Sequence, residues 1–194
     1  MWQRRREAIA SNGDALREEL GGLSPRDASA IWLPLSEAEE TKTALPAMLE
    51  RTVDIDLLKG HEETRPDHLQ KLSDEIRRDG VLRRPIVADL RTKVILDGHH
   101  RVNALRALGC SKTPVYFVDY SSPVIEVLPW REGEYVTKAM VLKAGVEGPK
   151  LPPKTTRHMV RTANSFCHIT AIERELNIPL DELRPTDHQR KSRG

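Results

Sequence analysis

The chain has 194 residues, 38% of them apolar and 31% charged, which suits a soluble globular protein of one domain, or one domain with a small lobe. Its formal charge of +2 excludes nucleic-acid recognition by bulk electrostatics, though a local basic patch is still allowed. No apolar run approaches the roughly 18 residues that a membrane span needs, and a contact with membrane is not expected.

At the N-terminus, MWQRRREAIA has positive charge but no apolar segment behind it, so a secretory signal is not expected. Asp14, Glu18 and Glu19 argue against a transit peptide. Residues 4–20 can form an amphipathic helix with Ile9, Leu16 and Leu20 on one side, stopped by Gly21 and Gly22. Pro25, Pro34 and Pro46 interrupt the stretch beyond it, and residues 1–50 read as a helical extension. It is placed to cap the core or to mediate self-association into a homo-oligomer.

The core is expected from residue 51. Val53, Ile55 and Leu57 alternate with Asp54 and Asp56, a half-buried strand pattern. Pro66 and Asp67 open a helix whose Leu69, Leu72 and Ile76 share one face, and Gly80 stops it. Short strands are expected over 85–88 and 93–96, with a turn between them. A helix comes next, from His99 to about Leu108, then a strand over 115–118. The order strand, helix, strand, strand, helix, strand predicts mixed α/β layering over 51–122. Residues 123–184 form a smaller lobe with a strand near 135–141, a Pro-rich turn over 149–153 and a helix over 170–176. Residues 185–194 read as a flexible tail. Cys110 and Cys167 have neither pair nor metal spacing, and are expected as free thiols in a reducing, cytoplasmic setting.

The strongest local signal is Asp97-Gly98-His99-His100-Arg101, where an apolar strand ends, a glycine allows a tight turn and a helix begins. Free N–H groups at a helix start favour phosphate. Gly98 would let the backbone come close, Arg101 adds a guanidinium fork, and His99 and His100 add donors near neutral pH. Asp97 is out of place in an anion site unless a metal ion or a reacting hydroxyl shares it, and phosphoryl transfer needs both. Two weaker signals are the loop Gly60-His61-Glu62-Glu63 and the string Pro153-Lys154-Thr155-Thr156-Arg157-His158, rich in phosphate-binding groups.

Together these strings resemble the free L-serine kinases of the SerK/SbnI type, within the ParB/sulfiredoxin-like superfamily. His61-Glu62, Asp97-Gly98-His99-His100-Arg101, Trp130 and Pro153-Lys154-Thr155-Thr156-Arg157-His158 agree in order, and 178–183 looks like the family's C-terminal end. The resemblance covers about residues 53–183 with gaps. It implies an α+β fold with a ParB/sulfiredoxin-like mixed-sheet core, and transfer of a phosphoryl group from ATP or ADP, with Mg²⁺, to the hydroxyl of free L-serine. Glu62 and Asp97 are implied as catalytic, Asp97 also as a Mg²⁺ ligand. Gly98, His99, Arg101, Thr155, Thr156, Arg157 and His158 are implied on the nucleotide, and His100, Trp130 and Lys154 on the serine. The stretch between Trp130 and Lys154 is shorter than in archaeal members, and the first 50 residues have no placed counterpart.

The rivals are a kinase for another small hydroxylated metabolite, a ParB-like nucleotide-dependent DNA-binding regulator and a sulfiredoxin-like reductase. ParB-type loops read Gly-Glu-Arg-Arg-like where this chain has Gly98-His99-His100-Arg101, and a reductase needs cysteine where His99 stands. No Walker motif and no His-Arg-Asp catalytic loop is present, so the site must belong to this fold itself.

Overall fold

Alternating side chains on the central strands set the architecture, because they place apolar groups on both sides of one sheet. In the computed structural model, residues 48–162 and 165–185 are described, and all fall within one compact unit. The expectations for residues 1–47 and for the tail from 186 lie outside the described residues.

Strand β1 (Met48–Asp54) is followed by a 3-10 turn (Ile55–Leu57), helix α1 (Pro66–Asp79) and strands β2 (Val81–Leu82), β3 (Ile86–Asp89) and β4 (Ile95–Asp97). Helix α2 (His99–Ala107) and β5 (Lys112–Val118) complete a four-stranded sheet in the order β1-β5-β3-β4. β5 pairs antiparallel with β1 and parallel with β3, and β3 pairs antiparallel with β4, so the sheet is mixed. The fold is the α+β arrangement that the motifs imply.

On β3, Ile86 and Ala88 enter one apolar cluster and Val87 the other; on β5, Val115 and Phe117 enter the first and Val118 the second. The first cluster packs α1 and α2 onto the sheet through Ile76, Val102 and Leu105. Burying one such side chain is worth about 1.5–3 kcal/mol. Helix α1 starts with proline at its first turn and ends at Gly80, whose φ of 69° is left-handed, as its sequence predicts.

On the opposite face lie β6 (Ile125–Pro129), α3 (Lys138–Val146), β7 (Thr156–Arg161), β8 (Phe166–His168) and a 3-10 turn (Ile169–Ile172). β6, β7 and β8 make an antiparallel three-stranded sheet. A Cβ on Gly145 of α3 would lie 2.7 Å from the Val94 side chain, so this helix rests its backbone directly beside β4. The chain then returns to the core. The Leu176 N–H donates to the Arg83 carbonyl at 2.8 Å, β9 (Ile178–Pro179) pairs with β2, and helix α4 (Leu180–Leu183) buries Leu180 and Leu183.

Three expected elements differ. The strand expected through Leu57 ends at Asp54; Ile55 is buried but Leu57 is exposed on a 3-10 turn. The strand expected near 135–141 is helix α3: Thr137 caps it by accepting the Met140 N–H at 3.2 Å, and Val141 and Ala144 are buried one turn apart. The helix expected over 170–176 is a 3-10 turn that stops at Ile172, with extended backbone at Glu173. No helix among the described residues is long and apolar enough to cross a membrane.

Candidate active site

The segment after the first 3-10 turn runs parallel to the edge strand β4. The Lys59 N–H donates to Lys93 and the Ile95 N–H to Lys59, at 3.0 and 2.9 Å, which puts His61 beside Ile95. His61 is fully buried, and its Nδ1 lies 2.7 Å from the Ile95 carbonyl. A carbonyl only accepts, so Nδ1 carries the proton. Burial lowers the ring's pKa to about 4, so it is neutral at pH 7 and Nε2 is an acceptor. That Nε2 lies 2.9 Å from the Thr156 hydroxyl.

Glu62 is the next residue, and the 153–156 turn wraps its carboxylate. Oε1 accepts the Thr156 N–H at 2.6 Å and lies against the Thr156 hydroxyl; Oε2 accepts the Lys154 N–H at 3.1 Å. Lys154 takes a left-handed φ of 58°, a turn conformation in which successive N–H groups can converge on an anion. Burial raises the Glu62 pKa, while the bonds from Thr156 and Lys154 pull it back. Glu62 lines the cleft, and Oε2 is the oxygen placed away from Thr156 for an incoming O–H.

The Asp97–Arg101 string forms the facing wall. Gly98 is the N-cap of α2 with φ 101° and has no side chain to cap it, so the first-turn N–H groups of the helix are uncapped. A Cβ there would lie 2.8 Å from Ile86 Cδ1 and 3.1 Å from Arg101 Nε, so glycine is required by both φ and space. Asp97 Oδ2 pairs with Arg101 Nη2, and Arg101 also binds both oxygens of Glu173, at 2.9 and 3.1 Å. The two histidines of the string turn Nε2 toward backbone donors. His99 accepts from His61 N at 3.2 Å and Glu62 N at 3.4 Å; His100 accepts from Arg65 N at 3.1 Å. Burial lowers both pKa values, His99 with help from His61 and His100 with help from His68. Both rings are therefore neutral, and Nδ1–H is the donor each has left.

β7 supplies the floor. Its alternation turns Thr156, His158 and Val160 inward and leaves Arg157 exposed. His158 is buried; its Nε2 lies 2.9 Å from the Tyr120 hydroxyl and its ring hydrogen-bonds the Leu96 carbonyl. Burial holds its pKa well below the usual value, so Tyr120 donates to Nε2. His61 and His158 thus pin the Glu62 segment and β7 to adjacent carbonyls of β4, directly before Asp97.

These walls enclose a cleft of about 470 Å³ lined by Glu62, Asp97, Gly98, His99, His100, Arg101, Trp130, Lys154, Thr156 and His158. Ten of the twelve site residues named from sequence converge there. The other two do not line it: the Thr155 hydroxyl donates to Pro152 at 2.8 Å, and the Arg157 guanidinium stands 5.8 Å from the Trp130 ring. Lys154 Nζ lies 5.4 Å from the same ring. Arg84, His68, Thr170 and Glu173 line the cleft without a motif that marks them in the sequence. None of the four carries a local sequence signal; Glu173 is found only through its pairing with Arg101, 72 positions away.

No cluster of three His, Cys, Asp or Glu side chains able to hold a metal occurs among the described residues. Mg²⁺ bound to a nucleotide does not need one, since one or two carboxylates beside phosphates and waters suffice. Asp97 fits that use, because its carboxylate lines the cleft while Arg101 holds Oδ2.

The fold is similar to that of solved proteins described as free serine kinases. A solved structure described as a free serine kinase in complex with AMP superposes with a TM-score of 0.57 at 16% identity, covering 73% of this chain and 95% of that one. No family model matches the chain. ATP-dependent L-serine kinases of Staphylothermus marinus and Desulfurococcus mucosus are 34% identical over 82 residues and 35% identical over 98. The matches cover 40% and 47% of this chain, and only 32% and 38% of the relatives' own length.

Proposed function

We propose that this chain transfers the terminal phosphoryl group of ATP or ADP to the hydroxyl of free L-serine, giving O-phospho-L-serine. The observation that carries this reading is Glu62: a nearly buried carboxylate, fixed by two backbone N–H groups, on the same cleft as Asp97 and the uncapped start of α2. The likeness to L-serine kinases over 82 and 98 residues supports the choice of acceptor.

Serine Oγ attacks the terminal phosphorus while Glu62 Oε2 takes the hydroxyl proton. The bond from that phosphorus to the bridging oxygen breaks, and the shortened nucleotide leaves with the electron pair. The first-turn N–H groups of α2 face the phosphates. Arg101 has Nε–H and one Nη1–H left for them, since its other donors are taken. Mg²⁺, when bound through Asp97 and phosphate oxygens, would neutralise charge on the transferring group. Trp130, with His100 and Lys154 near it, forms the serine side and excludes water. The two free thiols, Cys110 and Cys167, support a reducing, cytoplasmic setting.

The test is to incubate the protein with ATP or ADP, Mg²⁺ and a panel of free hydroxy amino acids and to weigh the products. O-phospho-L-serine is expected. Phosphorylation of a different hydroxyl compound would move the reading to the rival metabolite kinase, and no phosphorylated product would end it.

A further inference from the structure

Glu173 belongs to none of the motifs, yet its carboxylate is fully buried at the wall of the cleft. Oε1 accepts from Arg101 Nη2 at 2.9 Å and Oε2 from Arg101 Nη1 at 3.1 Å. The second hydrogen of Nη2 goes to Asp97 Oδ2. One guanidinium therefore bridges two carboxylates that also lie within hydrogen-bonding reach of each other at the cleft wall. A second cation, Arg84, comes within 3.8 Å of Glu173 from the solvent side.

Burying a carboxylate is unfavourable unless it is well paired, so a buried acid at this position needs a reason. Its anchorage supplies one. Ile169 and Ile172, just before it, are buried in the second apolar cluster, and Leu176, just after it, is tied to Arg83. Glu173 is thus held from both sides. Asp97 is the last residue of a short edge strand, followed by a left-handed glycine, and its side chain is held by Arg101 with Glu173 beside it.

We infer that Glu173 is a positioning residue: it fixes the plane of the Arg101 guanidinium and, through it, keeps Asp97 Oδ2 tied and Oδ1 directed to the reacting groups. This rests on the reading that Asp97 acts in phosphoryl transfer. Both oxygens of Glu173 are taken by Arg101, so it acts through that side chain. Its removal should act on turnover through Asp97 and spare nucleotide binding, as the loss of an orienting partner commonly costs about 10–100-fold in activity.

The experiment is a double-mutant cycle of Glu173→Gln with Asp97→Asn, read with kinetics and with ¹⁵N-arginine NMR of the Arg101 guanidinium, assigned through Arg101→Lys. The expected result is a kcat lowered at least about 10-fold in Glu173→Gln, with nucleotide KM within about twofold. The double variant should be no slower than Asp97→Asn alone, because the two act on one group. Glu173→Asp should recover part of kcat, and it carries the test if Glu173→Gln does not fold, its kcat then falling between wild type and Asp97→Asn. Additive losses, or unchanged kcat, would overturn the inference. If wild type phosphorylates no serine, the functional reading fails on its own, and the clamp is judged by NMR. Separate, slowly rotating Nη resonances in wild type that merge in the Glu173 variant support it; unchanged resonances overturn it.

Discussion

Glu62 accepts the backbone N–H of Thr156 at 2.6 Å and lies against the hydroxyl of the same residue, although the two are 94 positions apart. The Thr156 hydroxyl has one proton and two acceptors, Glu62 Oε1 and the neutral His61 Nε2 at 2.9 Å. Once Oε2 takes a proton the charge on Oε1 is gone, and Thr156 can turn its hydroxyl proton to His61 Nε2. Burial favours proton uptake, which suits a general base, while the bonds from Thr156 and Lys154 oppose it.

Glu62→Gln should abolish phosphoryl transfer and leave nucleotide affinity nearly intact. It should also lower stability, because an amide nitrogen would face a backbone N–H in place of an acceptor. A loss of about 1–3 kcal/mol is expected for the unpaired donor. Calorimetric nucleotide binding, thermal melting and turnover check the three parts; a variant that keeps most of its kcat removes Glu62 from the base role.

The buried histidines make stability depend on pH. His61 has its pKa lowered to about 4, and burial holds His158 well below the ordinary value, whereas an unfolded histidine protonates near pH 6.5. Unfolding therefore takes up protons below about pH 7, so stability is fully present above that pH and falls as the solution is acidified. Each ring should contribute roughly 1 kcal/mol of loss between pH 7.5 and 5.5. Glu62 and Glu173, raised by burial, act with the opposite sign at the acid end. Urea unfolding at both pH values checks this; equal stability would mean that the rings are not held neutral.

Tyr120→Phe should lower stability by about 1–3 kcal/mol, because the buried His158 Nε2 loses its donor. Turnover should change less than in the Glu62 variant, since His158 is occupied on both ring nitrogens and serves to hold β7 against β4. A large fall in nucleotide affinity would instead put His158 in direct contact with phosphate.

Trp130→Ala should raise the KM for serine more than that for nucleotide, because the ring lines the cleft while its face is flanked by Lys154 and Arg157. Arg157→Ala should leave nucleotide affinity unchanged within about twofold, since Arg157 is exposed and does not line the cleft. A loss of nucleotide binding in Arg157→Ala would return that side chain to the phosphates.

Where the signal is local, the sequence is readable. Pro66, the apolar spacing through Ile76 and Gly80 mark α1 to within a residue, and the Asp97-Gly98 turn marks the start of α2. The helix over 138–146 reads as a strand because Val136 and Val141 suggest one, and the Thr137 cap decides only together with packing on β4. The partner of His158 is Tyr120, and that of Arg101 is Glu173, 38 and 72 positions away. Such pairs depend on which strand faces which, and no local pattern encodes them. Arg157 sits in a motif rich in phosphate-binding groups, but the period of two on β7 decides that its neighbours Thr156 and His158 face inward.

The most direct measurement of the central claim tracks the phosphoryl group itself. ATP or ADP labelled on the terminal phosphate is incubated with free L-serine, Mg²⁺ and either wild type or Asp97→Asn, and the label is traced by mass. Asn caps a helix start about as well as Asp, so the variant should fold. The account predicts that wild type moves the label onto serine oxygen, and that Asp97→Asn binds nucleotide near-normally while its kcat drops on the order of 100-fold or more. Label that stays on nucleotide or passes to water with wild type, or near wild-type transfer by Asp97→Asn, would contradict it.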